Sequence, residues 1–169
     1  MKQIITIGII LIISISLIYI CVNIATLNKK IKKQFSTIDE YFKKRWELMP
    51  NIIGIANGYI KYEKNNLKTI TEILNADYNK FTEIEKIKKN IELSIKINDF
   101  LTYVEAYPEI EENSNYVKLK TILITYENEI KKNIKIYNEL SEKYNKKIEK
   151  NPTKIIAKLF NFKKKEIFK

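Results

Sequence analysis

Histidine is absent from these 169 residues, and cysteine, arginine and tryptophan occur once each, as Cys21, Arg45 and Trp46. Zinc sites of the usual kind, Ser-His-Asp and Cys-His catalytic arrangements, and haem ligation through histidine have no residues to build on. One cysteine cannot close an intramolecular disulfide, so the redox compartment is left unread. Three glycines, Gly8, Gly54 and Gly58, cannot form a phosphate-cradling loop. The longest absence is of charge: no charged residue stands between Lys2 and Lys29.

That gap is filled by apolar residues, almost without interruption from Ile4 to Val22 and on to Leu27. As a helix, residues 4–22 span roughly the ~30 Å hydrocarbon core of a bilayer. A cleaved signal peptide is the competing reading, but its apolar region runs only about 7 to 15 residues and ends at a small-x-small site. Here the sole small-residue candidate is Ala25-Thr26, and Cys21 follows Ile20 where a lipoprotein signal would want a small residue. An uncleaved anchor over residues 1–28 is therefore expected. Only the α-amine and Lys2 precede it, whereas Lys29, Lys30, Lys32 and Lys33 follow it within five residues. Translocation disfavours the cation-rich flank, so the remainder of the chain is expected in the cytoplasm.

The net charge of +11 is placed at two ends. Residues 1–33 hold five lysines and no acid, and residues 154–169 hold six lysines against Glu166, which leaves +1 for everything between. A nucleic-acid binder would carry its charge on the folded body, with arginine forks, so no nucleic-acid partner is expected. Anionic lipid headgroups fit better, with Lys29, Lys30, Lys32, Lys33, Lys163, Lys164 and Lys165 as candidates; each basic residue near such a surface is worth about 1 kcal/mol.

Beyond the anchor the apolar spacing is helical. Ile31, Phe35, Ile38, Phe42, Trp46 and Met49 form one seam, which the spacing predicts to end at Pro50. A second pattern runs from Asn51 to about Asn79, a third from Thr82 to Tyr107 before Pro108, and a fourth from Tyr116 through Leu123, Ile130, Tyr137 and Tyr144 to Ile148, before Asn151-Pro152. No segment alternates long enough to be a strand. Short connections between long helices make antiparallel neighbours. The fold class expected is all-α: an N-terminal transmembrane helix (1–28), a long antiparallel helical bundle (29–150) and a basic aromatic tail (151–169). Gly54-x-x-x-Gly58 reads first as a close helix crossing or a kink, and second as a dimerisation patch. Glu40 with Lys44, and Asp39 with Lys43, read as surface pairs along one helix. The tail's rings are expected to cap the core, to face lipid, or both.

The order of these pieces resembles the LemA family of bacterial membrane-anchored helical proteins, over nearly the whole chain. The matching residues are Leu27-Asn28, Phe35-Ser36-Thr37-Ile38-Asp39, and Lys43-Lys44-Arg45-Trp46-Glu47-Leu48-Met49-Pro50-Asn51. They continue with Tyr59, Tyr62-Glu63, Glu105-Ala106-Tyr107-Pro108, Tyr137-Asn138, Tyr144-Asn145, Asn151-Pro152 and the tail Ile156-Ala157-Lys158-Leu159-Phe160-Asn161-Phe162 with Glu166 and Phe168. Lys158 and Asn161 stand where the pattern has glycines, and Tyr62 where it often has histidine. The resemblance implies a single-pass protein of a bacterial cell membrane and no established reaction or cofactor.

Arg45, Trp46, Glu47, Pro50 and Asn51 are expected at the first helix-to-helix corner, as a clamp or as a partner-binding loop. The expected function is a non-enzymatic scaffold or adaptor at the membrane surface, meeting other membrane or envelope proteins. Alternatives are an outward-facing envelope interaction protein, and an enzyme using a carboxylate pair such as Glu63 with Glu105 or Asp39 with Glu47.

Overall fold

The computed structural model describes residues 1–59 and 64–168, and for Lys2 and residues 64–67 the backbone alone. Tyr62, Glu63 and Lys169 lie outside the described residues, and with them the Glu63–Glu105 pairing and the last lysine of the tail. Among the described residues six helices are present: α1 (Lys2–Ala56), α2 (Lys64–Asn75), α3 (Glu83–Val104), α4 (Pro108–Glu111), α5 (Ser114–Glu149) and α6 (Thr153–Leu159). A 3₁₀ turn at Tyr78–Lys80 joins α2 to α3, and no strand occurs among the described residues. The all-α expectation holds.

Pro50 does not end the first helix. It lies inside α1, which runs on to Ala56 and turns only at residues 57–59. An interior proline removes one helix hydrogen bond and costs roughly 3 kcal/mol. The offset is burial on both sides of it: Met49, Ile52, Ile53 and Ala56 are all in the core, while Pro50 itself faces out. The second pattern is correspondingly shorter than its apolar spacing suggested, α2 beginning at Lys64.

Other boundaries fall where the sequence put them. Thr82 caps α3 through a reciprocal box: Glu85 N–H donates to Thr82 Oγ1, and Thr82 N–H donates to Glu85 Oε2 at 2.8 Å. These bonds from Thr82 hold the Glu85 carboxyl below its ordinary pKa. Pro108 opens the short α4 at its first turn, where no N–H is needed. Asn113 starts α5, its Oδ1 accepting from Tyr116 N–H at 3.0 Å.

Two compact units are distinguishable, one made of Met1–Ser36 with Asn133–Lys169 and the other of Thr37–Lys132. In the second, Ile38, Phe42, Met49 and Ile52 of α1 are buried, as are Leu93, Ile97, Phe100 and Val104 of α3 and Tyr116, Leu123 and Ile130 of α5. Gly54 takes no part in a crossing there: it is exposed, and a Cβ would meet nothing within 4 Å. Gly58 sits in the turn after α1, its N–H donating to Ile55 O at 3.1 Å.

In the first unit, the core comprises Ile24, Leu27, Ile31 and Phe35 of α1, Tyr137, Tyr144 and Ile148 of α5, Ile156 and Ala157 of α6, and Phe168. The residues of α1 before Ile24 are different, with the most apolar 18-residue window wholly unburied. The tight turn after α6 forms although a glycine is missing. Asn161 takes it at φ 52°, with Asn161 N–H donating to Lys158 O and Phe162 N–H to Ala157 O, the bond pair of a Schellman motif. Asparagine tolerates this left-handed conformation better than other residues with a side chain.

Candidate functional site

Every seventh residue along α1 from Ile24 is buried: Ile24, Ile31, Ile38, Arg45 and Ile52. Four are isoleucine, and the fifth is the chain's only arginine. Phe35, Phe42, Met49 and Ala56 complete the seam at the second heptad position. A guanidinium at such a place has to find its partners inside the fold, because burying an unpaired charge is prohibitive.

The partners come from α3 and α5. Arg45 Nη1 donates to Ser94 Oγ at 2.5 Å and to Glu127 Oε1 at 2.6 Å. Arg45 Nη2 donates to Asn90 O at 2.9 Å and to Asn90 Oδ1 at 2.7 Å. Asn90 begins the α3 seam that continues through Leu93, Ile97, Phe100 and Val104, and its own Nδ2 donates back to Lys86 O. The guanidinium carbon lies 5.5 Å from the centre of the Phe42 ring. Four N–H directions of the five are thereby taken, with Nε unpartnered among the described residues. This layer binds helices to one another and offers the guanidinium to no external ligand.

Trp46, one residue on, is buried in a neighbouring aromatic group. Its Nε1–H donates to Leu74 O at 3.0 Å, and its ring meets Tyr78 edge-on at 5.2 Å and Phe81 at 6.1 Å. Tyr78 Oη donates to Asp39 Oδ1 at 2.6 Å, and Lys86 Nζ bonds the other oxygen of Asp39 at 2.9 Å. Burial, and after it the Asp39 carboxylate, push the Tyr78 phenol far above its ordinary pKa. Asp39 therefore pairs with Lys86 and Tyr78 and not with Lys43, whereas the Glu40–Lys44 pair forms as expected at 2.6 Å.

Arg45, Trp46, Glu47, Pro50 and Asn51 are thus not at a corner. They lie within α1, the first two facing inward and Glu47, Pro50 and Asn51 exposed. Sequence reading missed Asn90, Ser94 and Glu127 as partners. The signal available was the heptad interval that sets Arg45 in line with Ile38 and Ile52. Among the described residues no group of three Asp, Glu or Cys side chains gathers to hold a metal ion.

A third constellation belongs to the unit that contains the apolar helix. Asn138 and Asn145, one heptad apart on α5, each grip the backbone of the extended tail with both amide atoms. Phe168 N–H donates to Asn138 Oδ1 at 3.0 Å and Asn138 Nδ2 to Phe168 O at 2.9 Å. Lys165 N–H donates to Asn145 Oδ1 and Asn145 Nδ2 to Lys165 O, both at 2.8 Å. Phe168 meets Tyr137 edge-on at 5.2 Å, and Tyr137 lies 6.1 Å from Phe35. The tail thus does cap the core through Phe168. Lys29, Lys30, Lys32, Lys33, Lys163 and Lys164 are exposed and Lys165 is half-buried, with Lys164 in an ion pair to Glu149. Lys147, which sequence reading did not single out, donates to Asn23 Oδ1 at 2.6 Å, just beyond the apolar run.

Residues 34–169 match the model of the LemA family. The chain belongs to the LemA family. The match takes in the Arg45 layer, the Trp46 group and the strapped tail, while the apolar stretch precedes it. Among curated proteins none matches this chain. In this LemA-family chain the buried Arg45 is held by Asn90, Ser94 and Glu127, and the tail by Asn138 and Asn145.

Proposed function

We propose that this LemA-family chain is a non-enzymatic, single-pass protein of a bacterial cell membrane, whose helical body acts as a scaffold or adaptor at the cytoplasmic face. One observation carries the reading. No side chain of the most apolar window is buried, yet the same helix continues without a break into the buried heptad seam beginning at Ile24. A core helix of a soluble protein would bury that window. An apolar surface of this length, with every backbone group bonded within the helix, is what a bilayer accepts. The orientation follows from four lysines within residues 29–33 against Lys2 on the other flank. The adaptor role is supported by the way polar side chains are used: Arg45, Asp39 and Glu127 are committed to joining helices.

Membrane fractions washed with alkaline carbonate test the anchor. The full chain should stay with the lipid, and deletion of residues 4–22 should release it; carbonate-extractable full chain would refute the anchor. Brief amine-reactive crosslinking of intact membranes tests the adaptor role, which requires a discrete heteromeric product at constant stoichiometry. A ladder of random products would count against it.

A further inference from the structure

We infer that α6 and the C-terminal end of the apolar stretch of α1 together form a binding site for an anionic phospholipid, with an acyl chain in the groove between them. The inference rests on the membrane anchorage proposed above and adds a specific site to it. The groove has a volume of about 330 Å³ and its lining is apolar throughout, Leu17, Ile18 and Val22 on one wall and Ile156, Leu159 and Phe160 on the other. The first wall is part of the segment that crosses the bilayer, so the groove opens into the hydrocarbon region and an acyl chain is the apolar occupant at hand.

The second wall is built for a boundary. α6 buries Thr153, Ile156 and Ala157 against its own unit and leaves Ile155, Leu159 and Phe160 largely exposed, Leu159 at 79%. Such exposure on a soluble surface marks an interaction site. At a helical interval of 100° per residue, Lys154 and Lys158 fall on the side of α6 opposite to Ile156 and Leu159. There they line a second cavity of about 490 Å³ together with Lys164 and Glu149. One face thus suits hydrocarbon and the other phosphate, the distribution of a helix lying in the plane of the interface. The strap explains how so short a helix is held in place: Asn145 and Asn138 fix the chain on its C-terminal side, and the Asn161 turn closes α6 itself.

The test uses the full chain in lipid nanodiscs containing phosphatidylcholine with and without phosphatidylglycerol, each lipid in turn carrying a photoactivatable diazirine in its acyl chain. Crosslinked residues are mapped by mass spectrometry. Diazirine phosphatidylglycerol should label residues 155–160 and 17–22 several-fold more than the phosphatidylcholine probe does. Excess unlabelled phosphatidylglycerol should suppress that labelling. Lys154→Gln with Lys158→Gln should bring the two probes level, since each lysine near an anionic surface contributes roughly a fivefold change in affinity. Leu159→Trp, which fills the groove, should reduce labelling of residues 17–22 at the groove while leaving that of residues 4–12 unchanged.

Equal labelling by both probes would overturn the site while leaving the anchor intact. Labelling of residues 4–22 without residues 155–160 would likewise overturn it. Absence of label from residues 4–22 altogether would instead overturn the anchorage on which the inference stands.

Discussion

Arg45 and Glu127, 82 residues apart in sequence, meet at 2.6 Å with the arginine fully buried and the glutamate mostly so. The pair spans two helices and is completed by Asn90 and Ser94 from a third. Buried ion pairs of this kind add little net stability, because desolvation offsets most of the attraction, but breaking one side leaves a charge without compensation. Glu127→Ala should therefore destabilise the full chain in mild detergent by about 3 kcal/mol. Arg45→Met combined with Glu127→Leu should recover most of that loss in the same chemical-denaturation measurement. A double variant no more stable than Glu127→Ala would show that the layer contributes net energy beyond avoiding a stranded charge.

Trp46 provides a local reporter. Truncating it removes the ring contacts with Tyr78 and Phe81 as well as the bond to Leu74 O, so Trp46→Ala should cost roughly 3 to 5 kcal/mol. The more conservative Trp46→Phe keeps an aromatic ring and should cost less than half as much. In the native chain the indole should emit at the short wavelengths of a buried ring and resist aqueous quenchers. Emission characteristic of a water-exposed indole would contradict its burial.

Alkaline pH addresses Tyr116. Its phenol is pushed up to about 12 from an ordinary 10.0, first by burial and then by Glu111 and Glu105, and its Oη has no partner among the described residues. A raised folded pKa means that the unfolded chain loses the proton first. The stability this tyrosine contributes is complete below about pH 10 and falls away as the pH climbs toward about 12. Tyr116→Phe should leave stability at pH 8 unchanged or slightly raised and make its decline between pH 10 and 12 shallower. Parallel declines in the two proteins would remove Tyr116 from the account.

The tail clamp makes a prediction about protection. Asn145→Ala takes away both bonds to Lys165, and Asn138→Ala both bonds to Phe168. Amide hydrogen exchange at residues 165 and 168 should be slow in the native chain and become fast in the double variant, with little change in α3. Trypsin should then cut after Lys163, Lys164 or Lys165 more readily. Slow exchange retained in the double variant would mean that Phe168 against Tyr137 holds the strap alone.

Much of this architecture is legible in the residues. The three-and-four spacing of α1 and α5, the Thr82–Glu85 pair that starts α3 and the stop before Pro152 are local signals, and local physics decides them. Pro50 is not read correctly for the same reason: the local rule ends a helix there, and burial of Met49, Ile52, Ile53 and Ala56 overrides it. Arg45 stands at a heptad position that requires a partner, but only the packing of α3 and α5 selects Asn90, Ser94 and Glu127. The grip of Asn138 and Asn145 on the tail is of the same kind. A side-chain amide bonding an extended backbone leaves no periodic trace in the segment it holds.

The most direct test of the central claim is the sidedness of the helical body. In a Cys21→Ser background, Lys88→Cys places one thiol at an exposed position on α3. A membrane-impermeant maleimide applied to intact cells should leave that cysteine unlabelled and react with it fully once the membrane is permeabilised. Labelling of Cys introduced at residue 88 in intact cells would contradict a cytoplasmic body and place the domain on the outer side of the membrane.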